Sequence, residues 1–110
     1  MISSEGKREN GGMNKIVKTH EFNAWFTALR DEVAKVQITK RLLRAGNGNF
    51  GDCESVGEGV SEMRVHVGSG YRVYFARQGE VVYVILLGGD KNSQRRDIQQ
   101  AKSIWKEIKP

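Results

Sequence analysis

With one cysteine in 110 residues, Cys53, the chain has no means of building an intramolecular disulfide framework, which fits a reducing, cytoplasmic setting. Asp52 and Glu54 flank that thiol and oppose its ionisation, so Cys53 is expected to be a small, partly buried residue and not a reactive nucleophile. No apolar stretch approaches the roughly 20 residues that span a bilayer, so no membrane partner is expected. The two histidines, His20 and His66, stand far apart without neighbouring ligands at metal-binding spacing, and no metal site is read. A phosphate-binding loop and a Ser- or Cys-based triad are also missing, and nothing calls for a cofactor or a small-molecule substrate. The opening segment MISSEGKRENGG lacks a hydrophobic centre and does not read as a signal peptide. Residues 1–13 are expected to form a disordered polar tail ahead of one folded domain, residues 14–110.

What the chain does carry is basic charge: 18 Lys and Arg against 13 Asp and Glu, a net charge of +5. Residues 1–60 hold nine basic and eight acidic groups, residues 61–110 nine and five. The basic second half favours a polyanionic partner, such as nucleic acid or an acidic protein segment.

The pattern of apolar residues predicts the order β-α-α-β-β-β-β-α. Ile16 and Val17 mark a first strand, and Thr19 is placed to cap a helix in which Phe22, Trp25, Phe26 and Leu29 share a face. A second helix, Asp31 to Ala45, is expected to bury Val33, Val36 and Leu43, broadened by Ile38 and Leu42. Residues 46–51, Gly-Asn-Gly-Asn-Phe-Gly, spell a dinucleotide-binding pattern by letter. A helix precedes them and strands follow, the reverse of what that motif needs, so they read as a loop.

From Asp52 the period changes to that of strands. Met63, Val65 and Val67 alternate with Glu62, Arg64 and His66, and after Gly68-Ser69-Gly70, Val73 and Phe75 alternate with Arg72 and Tyr74. The apolar run Val81 to Leu87 reads as a central strand, broken by Gly88-Gly89. Asp90, Asn92 and Ser93 compete to cap a last helix, with Ile98, Ala101, Trp105 and Ile108 as its buried stripe. The expected fold is α+β: a mainly antiparallel sheet of four to five strands, an N-terminal α-hairpin and a C-terminal helix.

If the apolar side of the hairpin faces the helices, Arg64, His66, Arg72 and Tyr74 share the other side, with Tyr71 at its mouth and Lys91 at the sheet's end. Such a set suits metal-independent cleavage of a phosphodiester. Guanidinium groups hold the phosphate, a histidine exchanges protons near neutral pH, and a tyrosine stacks on a base. The same residues are also what any half-exposed antiparallel sheet displays to solvent.

The segment Gly57-Glu58-Gly59-Val60-Ser61-Glu62-Met63-Arg64-Val65-His66, followed by Gly68-Ser69-Gly70-Tyr71-Arg72-Val73-Tyr74-Phe75, resembles the phage-derived killer-protein branch of the RelE/HigB toxin superfamily. Leu86-Leu87-Gly88-Gly89-Asp90-Lys91, then Gln94, Asp97, Ile98 and Ala101, continue the resemblance, which covers roughly Lys15 to Ile108. The resemblance implies the toxin of a type II toxin–antitoxin module with the compact RelE-like fold. Characterised members enter the ribosomal A site and cut the mRNA codon there, leaving a cyclic phosphate and a 5′-hydroxyl. A small helix-turn-helix antitoxin holds them in check.

Carried over by position, Arg72 matches the phosphate-stabilising arginine, Arg64 and His66 stand where relatives place basic residues, often lysines, and Lys91 lies near a basic residue after the last strand. The catalytic candidates are therefore Arg64, His66, Arg72 and Lys91, with His66 as general base and Tyr71 or Tyr74 in reserve. Tyr71, Tyr74, Arg95 and Arg96 are the RNA-binding candidates. A catalytic Tyr or His near the C-terminus of some relatives has no counterpart here. The alternatives are a gyrase-poisoning toxin of the same fold and a remnant that only binds RNA.

Overall fold

The computed structural model describes residues 13–109, so the tail expected at the N-terminus lies, apart from Met13, outside the described residues. The elements are β1 (Lys15–Lys18), α1 (His20–Ala28), α2 (Glu32–Gly46), β2 (Cys53–Gly57), β3 (Val60–Val65), β4 (Tyr71–Arg77), β5 (Val82–Asp90), a single 3-10 turn (Lys91–Ser93) and α3 (Gln94–Ile108). The protein is an α+β domain with a five-stranded sheet in the order β1-β5-β4-β3-β2. Strands β2 to β5 form an antiparallel meander, whereas β1 lies parallel to β5. The sheet is thus mainly antiparallel, with one parallel pair, β1 with β5, that the sequence reading did not specify. Alternation of apolar residues reports the face a side chain takes, not the neighbour its strand chooses.

Thr19 caps α1 as expected, accepting from Phe22 N–H at 3.0 Å, and its hydroxyl also donates to Leu86 C=O at 2.8 Å. One residue thereby starts the helix and ties it to the interior strand β5. Asp31 caps α2 through Ala34 N–H at 3.0 Å. Both helices lie on one face of the sheet, where Phe22, Ala34, Ile38, Leu42 and Ala45 meet Met63, Val65, Val73, Phe75 and Ile85.

The rotation of α2 departs from the sequence reading. Ala34, Ile38, Leu42 and Ala45 are buried, while Val33, Val36 and Leu43 are exposed by 59%, 50% and 67%. Two apolar stripes overlap on this helix. The one that carries the small residues Ala34 and Ala45 lets the helix axis approach the sheet, and close packing decides for it.

The other face is covered too. Val60, Tyr74, Ala76, Val84, Leu86 and Leu87 pack against Ala101, Ile104 and Trp105 of α3. On α3, Ala101 and Trp105 of the expected stripe are buried and Ile98 packs partly buried against the same core; Asp97 and Ile104 join them, while Ile108 is 38% exposed.

Gly88-Gly89 does not break β5 but lies within it. An added Cβ at Gly88 would run into the Trp25 ring on one face, and at Gly89 into the Asp97 carboxylate on the other. The two glycines are the places where α1 and α3 press closest onto the strand. Cys53 is exposed, at the start of the edge strand β2, and not partly buried as expected.

Candidate functional site

The β3–β4 hairpin places the candidate site. In its register Arg64 lies directly opposite Arg72, and Glu62 opposite Tyr74. The connecting turn is closed by Gly70 N–H donating to Val67 C=O at 3.0 Å. Gly68 and Gly70 take φ of 56° and 82°, left-handed backbone that glycine adopts without penalty. The turn, the strand ends and the 3-10 turn after β5 enclose a cleft of about 380 Å³ whose lining includes Arg64, His66, Tyr71, Arg72 and Lys91. Five residues singled out from sequence are therefore brought to one cavity, though 27 positions separate the first from the last in sequence.

Lys91 is exposed and is delivered by a capping box, in which Asp90 accepts from Asn92 N–H at 2.9 Å and Ser93 N–H at 3.2 Å. His66 lies just past β3, with its Nε2 2.6 Å from Asp52 Oδ2. The contact from His66, helped by Arg64, holds the Asp52 carboxyl below the ordinary carboxylate range, although partial desolvation works against it. An ionised carboxylate can only accept, so Nε2 of His66 donates to it, and Nδ1 is the ring nitrogen that Asp52 does not engage.

The loop that supplies Asp52 is fixed by Arg41 of α2, whose guanidinium donates to the carbonyls of Phe50 at 3.0 Å, Asp52 at 3.3 Å and Arg64. Burial lowers the pKa of Arg41. Arg64 N–H in turn donates to Asp52 C=O at 2.9 Å, which seats the loop against β3.

The two arginines differ. Arg64 is engaged by Glu54, by Asp52 at 3.2 Å and by Glu62 at 3.4 Å, and the hydrogen bond to Glu54 leads in raising its pKa. Three carboxylates on one guanidinium make Arg64 a bracket between β2, β3 and the 52-loop. Arg72 meets Glu62 at 3.6 Å, donates from Nη1 to Gly70 C=O at 3.1 Å, and lines the cleft with little competition.

Of the RNA-binding candidates, Tyr71 lines the cleft and Tyr74, Arg95 and Arg96 do not. Tyr71 reaches the α1–α2 junction, where its hydroxyl donates to Asp31 at 3.2 Å and its ring packs edge-on against Trp25 at 6.3 Å. Tyr74 is completely buried under α3 and donates to Glu62 at 3.3 Å, so no base can stack on it. Its position corrects the expectation of an open polar face, because α3 covers that end of the sheet. Arg95 and Arg96 are exposed in the first turn of α3 and do not line the cleft. Among the described residues no group of three or more His, Cys, Asp or Glu side chains is placed to hold a metal ion, and no helix is long and apolar enough to cross a membrane.

Three residues of the site were not singled out from sequence: Asp52, Glu62 and Arg41. For Glu62 the signal was present, since strand alternation puts it on the same face as Arg64. Asp52 and Arg41 act across 14 and 23 residues of intervening chain, which no local pattern reports.

No protein-family model matches the chain. It is 43% identical over 94 residues to a protein of Haemophilus influenzae described as uncharacterized, a match that covers 86% of this chain and 95% of that relative. At that identity and over nearly the whole length of both, the chain belongs to the same family as the Haemophilus influenzae protein.

Proposed function

We propose that this chain is a toxin of the RelE/HigB type with a RelE-like fold, a ribosome-dependent mRNA endonuclease held in check by a helix-turn-helix antitoxin. One observation carries the reading: a single cleft joins two cations with few competing partners, Arg72 and Lys91, to a histidine whose far ring nitrogen is tied to a carboxylate. This is an anion clamp beside an oriented base.

In this reading Arg72 and Lys91 hold the scissile phosphate and neutralise the charge that grows on it in the transition state. His66 Nδ1 takes the proton of the ribose 2′-hydroxyl, and the 2′-oxygen attacks phosphorus. The bond to the 5′-oxygen breaks, that oxygen takes a proton from solvent, and a cyclic phosphate and a 5′-hydroxyl result. Arg64 holds the 52-loop in place more than it holds the phosphate. A groove of about 420 Å³, walled partly by Ile16, Phe22, Phe26 and Leu42, is the seat this reading gives to the antitoxin. The elements around it, β1, α1 and α2, carry six basic and two acidic residues, which favours an acidic partner segment.

The test is mRNA cleavage on programmed ribosomes by wild type and Arg72→Ala, with a ribosome-free control. Wild type is expected to cut at the A-site codon only when ribosomes are present, and Arg72→Ala to be slower by about 10²–10³-fold. Intact mRNA across varied codons, with replication blocked in arrested cells, would replace the nuclease by the gyrase-poisoning reading.

A further inference from the structure

A carboxylate deep in the sheet has no part in the chemistry proposed above, yet it meets four polar side chains behind the cleft. Glu62 is 1% exposed. Its Oε2 accepts from Gln94 Nε2 at 2.8 Å and Tyr74 Oη at 3.3 Å and faces Arg72 Nε at 3.6 Å, while Oε1 faces Arg64 Nε at 3.4 Å. Three elements, β3, β4 and α3, therefore converge on one side chain.

The register shows why it is needed. Arg64 and Arg72 are directly opposed on the same face, and like charges in that position repel. A buried carboxylate is itself costly unless it is paired and hydrogen-bonded. Glu62 meets both conditions, and it approaches each guanidinium from the Nε edge. Arg72 Nε is buried and lies just beyond hydrogen-bond length of Glu62, without another acceptor among the described residues. A shift of a few tenths of an ångström would complete the bond. With Nε turned inward and Nη1 on Gly70 C=O, the outer donors of Arg72 are left for an anion in the cleft.

We propose that Glu62 is the positioning residue of the cleft: held by Gln94 and Tyr74, it fixes the Arg72 guanidinium by its Nε edge and aims the outer edge at a bound phosphate. The role in turnover rests on the nuclease reading. The positioning itself does not. Glu62→Gln keeps the shape and removes the charge. The cleft then becomes more positive, so phosphate binding is not weakened, but the one carbonyl oxygen left is shared among Gln94, Tyr74 and both arginines, and Arg72 loses its charged hold.

Two measurements test this. The first is hydrogen exchange of the Arg72 Nε–H by NMR, assigned by its loss in Arg72→Lys. In wild type it is expected to exchange at least about tenfold more slowly than the Nε–H of exposed Arg95, and in Glu62→Gln to lose that protection. The second is kinetics on programmed ribosomes. Glu62→Gln is expected to lower kcat by about 10²-fold without raising KM; an unchanged KM is the mark of an interaction made only in the transition state. An Arg72 Nε–H that exchanges in wild type as fast as that of Arg95 overturns the proposal, even should Glu62→Gln fail to fold. Protection that survives in folded Glu62→Gln, or a raised KM with kcat intact, overturns it as well. If folded wild type leaves mRNA uncut, the nuclease reading falls and the exchange measurement decides the role of Glu62 by itself.

Discussion

Substituting alanine for Gly89 tests how the last helix reaches the cleft. Gly89 lies opposite Arg72 in the sheet register, and an added Cβ would fall inside the Asp97 carboxylate, with Ser93 Oγ at 3.1 Å. Asp97 is 6% exposed and accepts from the Ser93 hydroxyl, so it has little free volume to move into. Expelling it costs a hydrogen bond to a charged group, about 1.5–3 kcal/mol, and forced repacking, about 1–3 kcal/mol. The sum is about 2.5–6 kcal/mol, which for a domain of this size lowers Tm by at least about 10 °C. Asp97→Ala removes the obstacle, and Ser93 keeps Asp90 as a partner, at 3.4 Å. The double variant Gly89→Ala/Asp97→Ala is therefore expected to recover about 2 kcal/mol relative to additivity. Calorimetry or far-UV circular dichroism on the four proteins measures the cycle. A Tm loss below about 4 °C in Gly89→Ala, or strict additivity in the double variant, would refute the close approach of α3 to β5.

Three further outcomes are expected. Ile38→Ala should cost about 2–5 kcal/mol, whereas Leu43→Ser should change stability by no more than about 0.5 kcal/mol; equal urea midpoint shifts would mean that α2 is turned the other way. Burial, with Glu62 and Asp97 nearby, pushes the Tyr74 phenol well up. Its stabilisation is therefore present below the ordinary tyrosine value of about 10 and is lost as pH rises beyond it. A phenol that ionises only with alkaline unfolding should be seen in the ultraviolet titration of wild type and be missing from Tyr74→Phe; an early titration of Tyr74 in the native protein would contradict its burial. The lowered Asp52 pKa implies stabilisation present above about pH 3.9 and lost as pH falls through the depressed value. In His66→Ala the carboxyl carbon of Asp52 should titrate closer to the ordinary range, and an unmoved midpoint would show that His66 does not make the contact.

Much of the site was legible because a hairpin is a local structure. Strand alternation, with glycines at 68 and 70 to turn the chain, is enough to bring Arg64 opposite Arg72, and the dipeptide Asp90-Lys91 already carries both the cap and the cation it delivers. The capping of α1 by Thr19 and the interior place of β5 follow from equally short-range causes: a hydroxyl before an apolar helical face, and an apolar run too long for a half-exposed strand.

What only the tertiary structure decided concerns choices that local patterns leave degenerate. Two apolar stripes on α2 satisfy the helical period equally well, and contact with the sheet selects the one with Ala34 and Ala45. Gly88-Gly89 has the composition of a strand end, yet it lies inside β5, because Trp25 and Asp97 occupy the space that side chains there would take. The residues that tune the cleft show the same division. Arg72, Lys91 and His66 announce themselves by type, whereas Glu62, Asp52 and Arg41 acquire their roles only when α3, the 52-loop and α2 close around the hairpin. Charge and period are properties of the chain, but pairing a buried carboxylate with two opposed arginines is a property of the packed core.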